Sequence, residues 1–291
     1  MMEDELIVNF TPNGMIPTHE MTPYVPISVS EIVDDVQRAT EIGITMVHLH
    51  ARDEDTGKPS YKAKIYGDII GCIRSFAPDL IIGVSLSGRG IKKFSHRAEP
   101  LQLEGDLKPD LGSLTLSSLN FNRMASINEP EMIQKLAKEM KLKGILPELE
   151  VFDIGMVNYA KYLIKKGLLQ SPHYFNLLFG NVACAQPDLL HAGLLVRDLP
   201  EKSYCSLAGI GDAQLMMNSL AIATGTGVRV GLEDTIWYDK ARTKLATNSD
   251  LLQRIHTLAE ANERKMMSPK TLRELLHLHE GFGKYGYKDR F

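Results

Sequence analysis

Residues 28–43 read Ser28-Val29-Ser30-Glu31-Ile32-Val33-Asp34-Asp35-Val36-Gln37-Arg38-Ala39-Thr40-Glu41-Ile42-Gly43, and residues 44–51 continue Ile44-Thr45-Met46-Val47-His48-Leu49-His50-Ala51. The first run is a helix with both ends marked. Ser28 and Glu31 stand at capping-box spacing, Val29, Ile32, Val33, Val36, Ala39 and Ile42 fall on one helical stripe, and Gly43 is the residue type that lets a chain leave a helix. The second run is short, apolar and β-branched, as in a strand buried on both faces. Residues 6–11 form an earlier strand. Further strand-like runs lie at 80–86, 111–117, 145–152, 174–180, 203–210 and 228–234. Helical spacing fills 61–76, 90–104, 129–143, 155–169, 185–197, 212–224 and 248–264, and a last helix stands near 269–280. Eight strand–helix repeats without a Pro/Gly/Ser linker predict an α/β fold, a single (β/α)8 TIM barrel over residues 1–291 with a C-terminal helical extension near 265–291. An open doubly wound sheet is the runner-up. Residues 12–26, with Gly14, Pro17 and Pro23, follow the first strand, so in a barrel they lie at the catalytic face.

Composition narrows the function classes. The 291 residues carry 33 Lys and Arg against 36 Asp and Glu, a net charge of −3 with no block of like charge, so no footprint for nucleic acid or an anionic membrane is visible. No apolar run reaches the roughly 18 residues of a spanning helix, and the acidic start Met1-Met2-Glu3-Asp4-Glu5 is unlike a signal peptide. A cytoplasmic protein is expected. Cys72, Cys184 and Cys205 are too few and scattered for a disulfide framework and are expected to be buried filler.

Alternation along strands brings polar groups together. Asn9, Thr11 and Asn13 share one phase of the first strand, as do His48, His50 and Arg52 in the second, Ser85 and Ser87 in the third, and Ser113, Thr115 and Ser117 in the fourth. Glu148 and Glu150 do so in the fifth, and Arg229 and Glu233 in the eighth, with Gly231 leaving space between them. Buried polar groups without partners cost about 1–3 kcal/mol each, so such a set calls for a polar pocket at the strands' carboxyl ends. His48 and His50 at i and i+2 of a strand point the same way and could hold one divalent ion, joined across the barrel by Glu233. Two histidines and one carboxylate with open positions suit catalytic zinc, and the same set resembles a non-haem iron site. Glu148 and Glu150 are read either as candidates for a general base or as a salt-bridged structural pair. Arg229 suits a substrate carboxylate or a core ion pair, and Asp234, in the opposite phase, a solvated cap or a partner for a neighbouring arginine. A second His-x-His, His277-Leu278-His279, is placed in a surface helix, where the rings would splay.

The string Val47-His48-Leu49-His50-Ala51-Arg52-Asp53 with Thr56-Gly57-Lys58-Pro59-Ser60 resembles the second-strand motif of the β-keto acid cleavage enzymes, whose founding activity is 3-keto-5-aminohexanoate cleavage. Pro147-Glu148-Leu149-Glu150-Val151, Gly155-Met156-Val157, Ala208-Gly209-Ile210-Gly211 and Val228-Arg229-Val230-Gly231-Leu232-Glu233-Asp234 leading to Tyr238 extend the likeness in order along nearly the whole chain. The resemblance implies a zinc-dependent (β/α)8 enzyme, another divalent metal being possible, that takes a small β-keto acid and acetyl-CoA and returns acetoacetate and a new acyl-CoA. It implies His48, His50 and Glu233 as metal ligands, Glu150 as general base, Arg229 with Asp234 assisting it, Ser85 and Ser113 as substrate contacts, and a homotetramer or homodimer. Two positions depart from the pattern. Ile16 stands where the founding branch carries a glutamate for the substrate's amino group, which predicts an uncharged or apolar substrate tail. Asp212-Ala213 follows Gly209-Ile210-Gly211 in place of basic or aromatic residues, against CoA phosphates. The rivals are a metal-dependent barrel hydrolase, which would want histidines ending strands five and six, and a non-catalytic, metal-stabilised binding protein.

Overall fold

The computed structural model describes residues 4–288. Its centre is a closed barrel of parallel strands: β1 (Val8–Phe10), β2 (Met46–Leu49), β3 (Ile81–Val84), β4 (Leu111–Thr115), β5 (Leu146–Val151), β6 (His173–Phe179), β7 (Ser203–Gly209) and β8 (Gly227–Val230). Each pairs with the next, and β8 returns to β1 through Val228, Arg229 and Val230 against Val8, Asn9 and Phe10. Closure excludes the open sheet. The outer layer comprises α1 (Val29–Ile42), α2 (Ala63–Phe76), α3 (Phe94–Arg97), α4 (Pro130–Lys143), α5 (Ile154–Lys165), α6 (Leu189–Asp198), α7 (Gln214–Ala223) and α8 (Asn248–Ala261), with α9 (Pro269–Leu275) beyond it. Local chemistry sets these bounds. Ser28 and Glu31 form the expected capping box on α1, Asp153 and Asp188 cap α5 and α6, and Gly144 ends α4 in the left-handed conformation.

The largest departure lies between β3 and β4. The expected helix at 90–104 is the single turn α3 followed by 3₁₀ turns at Glu99–Gln102 and Gly105–Leu107, because Pro100 and Gly105 interrupt it. The helix expected to 280 ends at Leu275; His277 then takes a left-handed φ of 53°, and buried Leu278 bridges to Tyr287. The second His-x-His is therefore not helical. Of the cysteines only Cys205 is buried, and Cys72 is exposed. Met217 faces the core, whereas Leu215 and Met216 on α7 are exposed. Among the described residues no helix is long and apolar enough to cross a membrane.

Two apolar layers hold the barrel. Outward residues such as Val47, Leu49, Ile82 and Val84 pack on helix residues including Ile32, Val36, Ile69 and Ile73. At the amino ends of the strands Ile7, Met46, Ile81, Leu111 and Leu146 pack on Met267, Leu272, Leu276 and Leu278 of the C-terminal segment, which plugs that end. The plug is fastened by charge. Asp110, fully buried, accepts from Arg74 Nη2 at 2.7 Å and from Arg273 at 2.9 Å (Nη1) and 2.8 Å (Nη2), and also from the backbone N–H of Gly286. Burial alone would raise this carboxyl, but Arg273 and Arg74 outweigh it and hold it at about 2.

Removing one partner of a buried charge cluster costs about 3–5 kcal/mol, against roughly 0–1 kcal/mol for a surface pair. Asp110→Asn should therefore lower unfolding free energy by about 3–5 kcal/mol in denaturant titrations, and Asp68→Asn, on the exposed Lys64 pair, by less than about 1. Because the folded pKa of Asp110 is depressed, its contribution is complete above about pH 4 and is lost as pH falls towards 2. The variant should lose that acid limb.

Candidate active site

The open end of the barrel is built from strand ends. His48 of β2 points inward with no exposure, and its Nδ1–H donates to Glu148 Oε2 of β5 at 2.7 Å. Glu148 Oε1 accepts from Asn9 Nδ2 at 2.9 Å and from Asn176 Nδ2 at 2.6 Å, so the carboxylate cannot turn. Gly83 of β3 gives it room, since a Cβ there would stand 3.0 Å from Glu148 Oε2. With Nδ1 committed, His48 presents Nε2 to His50 Nε2 at 3.3 Å, and His50 Nε2 lies 3.1 Å from Glu233 Oε1. One ligand atom from each of His48, His50 and Glu233 fits within a mutual 4.8 Å. Glu233 Oε2 is buried without a hydrogen-bond partner.

This donor set fits a divalent cation. At most one proton can sit between these atoms, leaving at least one lone pair opposed to another, whereas metal–ligand bonds of about 2.0–2.2 Å place neighbouring ligand atoms about 3.4 Å apart. Gly14 presses the first loop onto the site, because a Cβ there would meet Glu233 Cγ at 2.5 Å. Arg52, in phase with the two histidines, is no ligand or substrate group: its guanidinium donates to the carbonyls of Gly14, Pro17 and Gly57 and pins the loop.

A second cluster adjoins the first. Arg229 of β8 donates from Nε and Nη2 to Asp234 at 3.0 and 3.3 Å, and Nη2 is 2.8 Å from Glu233 Oε1. Its fork is thus engaged, which sets aside the reading of Arg229 as a bidentate clamp for substrate. Asp234 is the arginine partner; strand phase does not separate it from Glu233, because the chain turns after Val230. Gly231 is needed for approach to Thr11, whose carbonyl oxygen would lie 2.0 Å from a Cβ, and does not merely space two side chains. Burial would raise the Glu233 carboxyl, but Arg229, His50 and His48 hold it well below its ordinary range. Burial raises Asp234, with Arg229 opposing.

The two glutamates of β5 have different surroundings. Glu148 is sealed inside, whereas Glu150 reaches the mouth, its Oε2 accepting from Thr115 Oγ1 at 2.5 Å and its Oε1 lying 3.9 Å from Arg229 Nη1. Ser85 lines a cavity beside His50 with Met15, Tyr61 and Ile91. Ser113 Oγ accepts from the Leu86 N–H at 2.9 Å and tethers the loop after β3. The sequence reading missed Arg89 in that loop. It is largely buried beside Glu150 and Glu233, and its guanidinium carbon sits 3.5 Å from the Phe121 ring centre. Its signal was available, a basic residue between Gly88 and Gly90 immediately beyond a strand end. Asp212 is countered by Arg242, whose Nε and Nη2 donate to it at 3.2 and 3.4 Å.

The sequence profile of the β-keto acid cleavage enzymes matches residues 5–278. The chain belongs to that family. It is 32% identical over 279 residues to the 3-keto-5-aminohexanoate cleavage enzyme of Fusobacterium nucleatum subsp. nucleatum, covering 95% of this chain and 99% of that one. It is 32% identical over 281 residues to the 3-oxoadipate:acetyl-CoA acetyltransferase of Cupriavidus necator, covering 95% and 96%. Among solved structures, apo ObcA superposes with a TM-score of 0.73 at 21% identity, over 87% of this chain and 65% of its own, a likeness of fold. Members of the β-keto acid cleavage family are enzymes, and the barrel expected from the sequence is the one observed.

The Glu148 bond gives the site a measurable signature. Burial would lower the His48 imidazole, but Glu148 and Glu233 outweigh it and push it up to about 9, so near pH 7 His48 holds two protons, one of which a cation at Nε2 must displace. Zinc titrated into metal-free protein at pH 7 should release close to one proton from this group, read by calorimetry in buffers of different ionisation enthalpy. Glu148→Gln should shrink that release and weaken zinc binding about 10–100-fold.

Proposed function

We propose that this protein is a zinc-dependent β-keto acid cleavage enzyme: a small β-keto acid and acetyl-CoA enter, and acetoacetate and the CoA thioester of the remaining acyl group leave. The observation that carries this reading is the juxtaposition of a His48–His50–Glu233 cation site with a second, partly exposed carboxylate, Glu150, which faces the same Arg229 guanidinium as Glu233. His48, His50 and Glu233 would hold the metal, which when bound acts as a Lewis acid towards the β-keto oxygen.

The chain's own groups supply the rest. Glu150 Oε1 is the general base, accepting a proton from the carbon between carboxylate and ketone. Thr115 Oγ1–H, donating to Oε2, keeps the other oxygen turned to the cavity. Arg229 faces Glu150 with Nη1, a buried N–H group with no hydrogen-bond partner, and so steadies the carboxylate before and after it carries the proton. Asp234 holds Arg229 in register. Ser85 hydrogen-bonds the substrate carboxylate from the cavity wall, and Ser113, whose own O–H remains a donor, positions the loop behind it. The Asp212–Arg242 pair removes the objection that an aspartate alone raised against CoA phosphates. Exposed Leu189 and Leu190 on α6, with Leu215 and Met216 on the next helix, favour self-association as a homodimer or homotetramer.

Purified protein of known zinc content, mixed with acetyl-CoA and a panel of β-keto acids, should produce acetoacetate, and chelation should abolish it. Glu150→Gln should lower kcat by about 10²–10⁴-fold with zinc content unchanged. Loss of zinc from that variant would make Glu150 a ligand, and absence of acetoacetate across the panel would leave a hydrolase or a binding protein.

A further inference from the structure

A single amide in the outer layer joins the turn that carries Glu233 to the loop pressed onto it. Asn248 is the first residue of α8 and is almost fully buried, yet the helix makes no use of its side chain, because Thr247 and Asp250 already close a capping box there. Asparagine is also a poor helix former, so its presence has another cause. Its Oδ1 accepts the Leu232 N–H at 2.9 Å, and its Nδ2 donates to the Pro12 carbonyl at 2.8 Å and to Asp35 Oδ2 at 2.5 Å. Both amide hydrogens are thereby used, which fixes the way round that the group sits.

The two backbone groups it links stand beside the cation site. Leu232 directly precedes Glu233. Pro12 directly precedes Asn13, whose Nδ2 donates to the His50 carbonyl at 3.0 Å, and then Gly14, which crowds Glu233 Cγ. Metal sites tolerate only about 0.2 Å in ligand distance, so the spacing of these two segments bears directly on affinity. Asp35 of α1 holds the amide from behind, its other oxygen accepting from Arg38 Nη2 at 3.1 Å. Burial raises the Asp35 carboxyl, with Asn248 and Arg38 opposing. On their outer side Asp35 and Asn248 line a cleft of about 360 Å³ with Pro26, Asp34 and Ser249, so water can replace a lost partner there and the fold need not fail with it.

We propose that Asn248 is a positioning residue for the cation site: its amide sets the distance between the Glu233 turn and the first loop, and Asp35 sets the orientation of the amide. The inference rests on the cation site of the function proposed above, but it is read by binding and needs no turnover. An aspartate in place of Asn248 has the same shape, keeps the acceptor for Leu232 and suits the first turn of a helix. It also turns a donor into an acceptor facing the Pro12 carbonyl and the Asp35 carboxylate, pushing apart what the amide draws together. Simple charge acts in the opposite sense, since one more carboxylate near the site attracts a cation more strongly. The sign of the change therefore separates positioning from charge.

The test titrates zinc into the full chain against a chromophoric chelator at pH 7, with melting temperatures recorded alongside. Asn248→Asp should weaken zinc binding about 10–100-fold, the span seen when a group that orients a ligand is lost. Adding Asp35→Asn should recover most of that loss, because the new amide donates to the new carboxylate. Asp35→Asn alone should leave affinity close to that of the unaltered protein, since its carbonyl still accepts from Asn248. Asn248→Ala removes all three bonds while favouring the helix, and should weaken zinc binding even where the aspartate variant does not fold. Zinc affinity equal to or tighter than that of the unaltered protein in Asn248→Asp overturns the proposal, as does unchanged affinity in Asn248→Ala. A loss that Asp35→Asn does not relieve overturns it too, and so does a lower melting temperature with zinc affinity held, the mark of a merely structural residue. Weakened and rescued zinc binding in protein that forms no acetoacetate sustains this inference and removes the proposed function, whereas acetoacetate formed with zinc affinity untouched by these changes does the reverse.

Discussion

A hydrogen bond between two groups with no contact to water, His48 Nδ1–H to Glu148, is the constraint on which the catalytic end depends. A carboxylate at that depth is tolerable only with charge and donors around it, and His48, Asn9 and Asn176 provide them. The bond does more than neutralise Glu148. It fixes which nitrogen of His48 is committed to Glu148 and which is left to take a cation once its proton is displaced, and thereby the direction in which a cation can be held. Each participant comes from a different strand, so the geometry is inherited from the barrel's register and not from loops. Tyr174 and Ser206 continue the network inward, Tyr174 Oη reaching Ser206 Oγ at 2.8 Å.

That network explains what the sequence disclosed and what it hid. Period-two alternation was enough to place His48 with His50 and Glu148 with Glu150 on the inner face, because short parallel strands buried on both sides admit few alternatives. It could not tell the two glutamates apart. Their difference is one of depth, set by the pairing of Glu148 with Tyr174 and of Glu150 with Asn176 across β5 and β6. Glu233 and Asp234 defeated alternation for another reason: they lie on a turn that begins where Gly231 crowds Thr11, so both reach Arg229. The C-terminal segment was hardest to read. Its helix stops early, and its fit depends on Asp110, whose partners Arg74 and Arg273 stand far away in sequence.

The two ends of the barrel handle buried charge in opposite ways. At the plugged end Asp110 is saturated by two guanidinium groups and two backbone N–H groups, leaving nothing for a ligand. At the open end the groups are paired but incompletely. Glu233 keeps one unbonded oxygen, Arg229 one unbonded nitrogen, and Glu150 one oxygen beyond hydrogen-bond reach of any cation. Unfinished pairing lowers stability, and the plugged end, with its apolar layer and saturated cluster, offsets that cost where no chemistry takes place.

Arginines at the mouth show how a site can attract anions while restricting where they land. Arg52 and Arg97 donate chiefly to neutral carbonyl oxygens, so their hydrogen-bonding edges are filled while their charge remains uncancelled. Such groups contribute field without offering a seat, and in a partly dehydrated cleft that field extends further than it would in water. Arg229 is the reverse, its charge cancelled by Asp234 and Glu233 while Nη1 stays without a hydrogen-bond partner. An incoming anion is therefore drawn by several cations, most of whose hydrogen-bonding edges are already occupied by the protein's own oxygens.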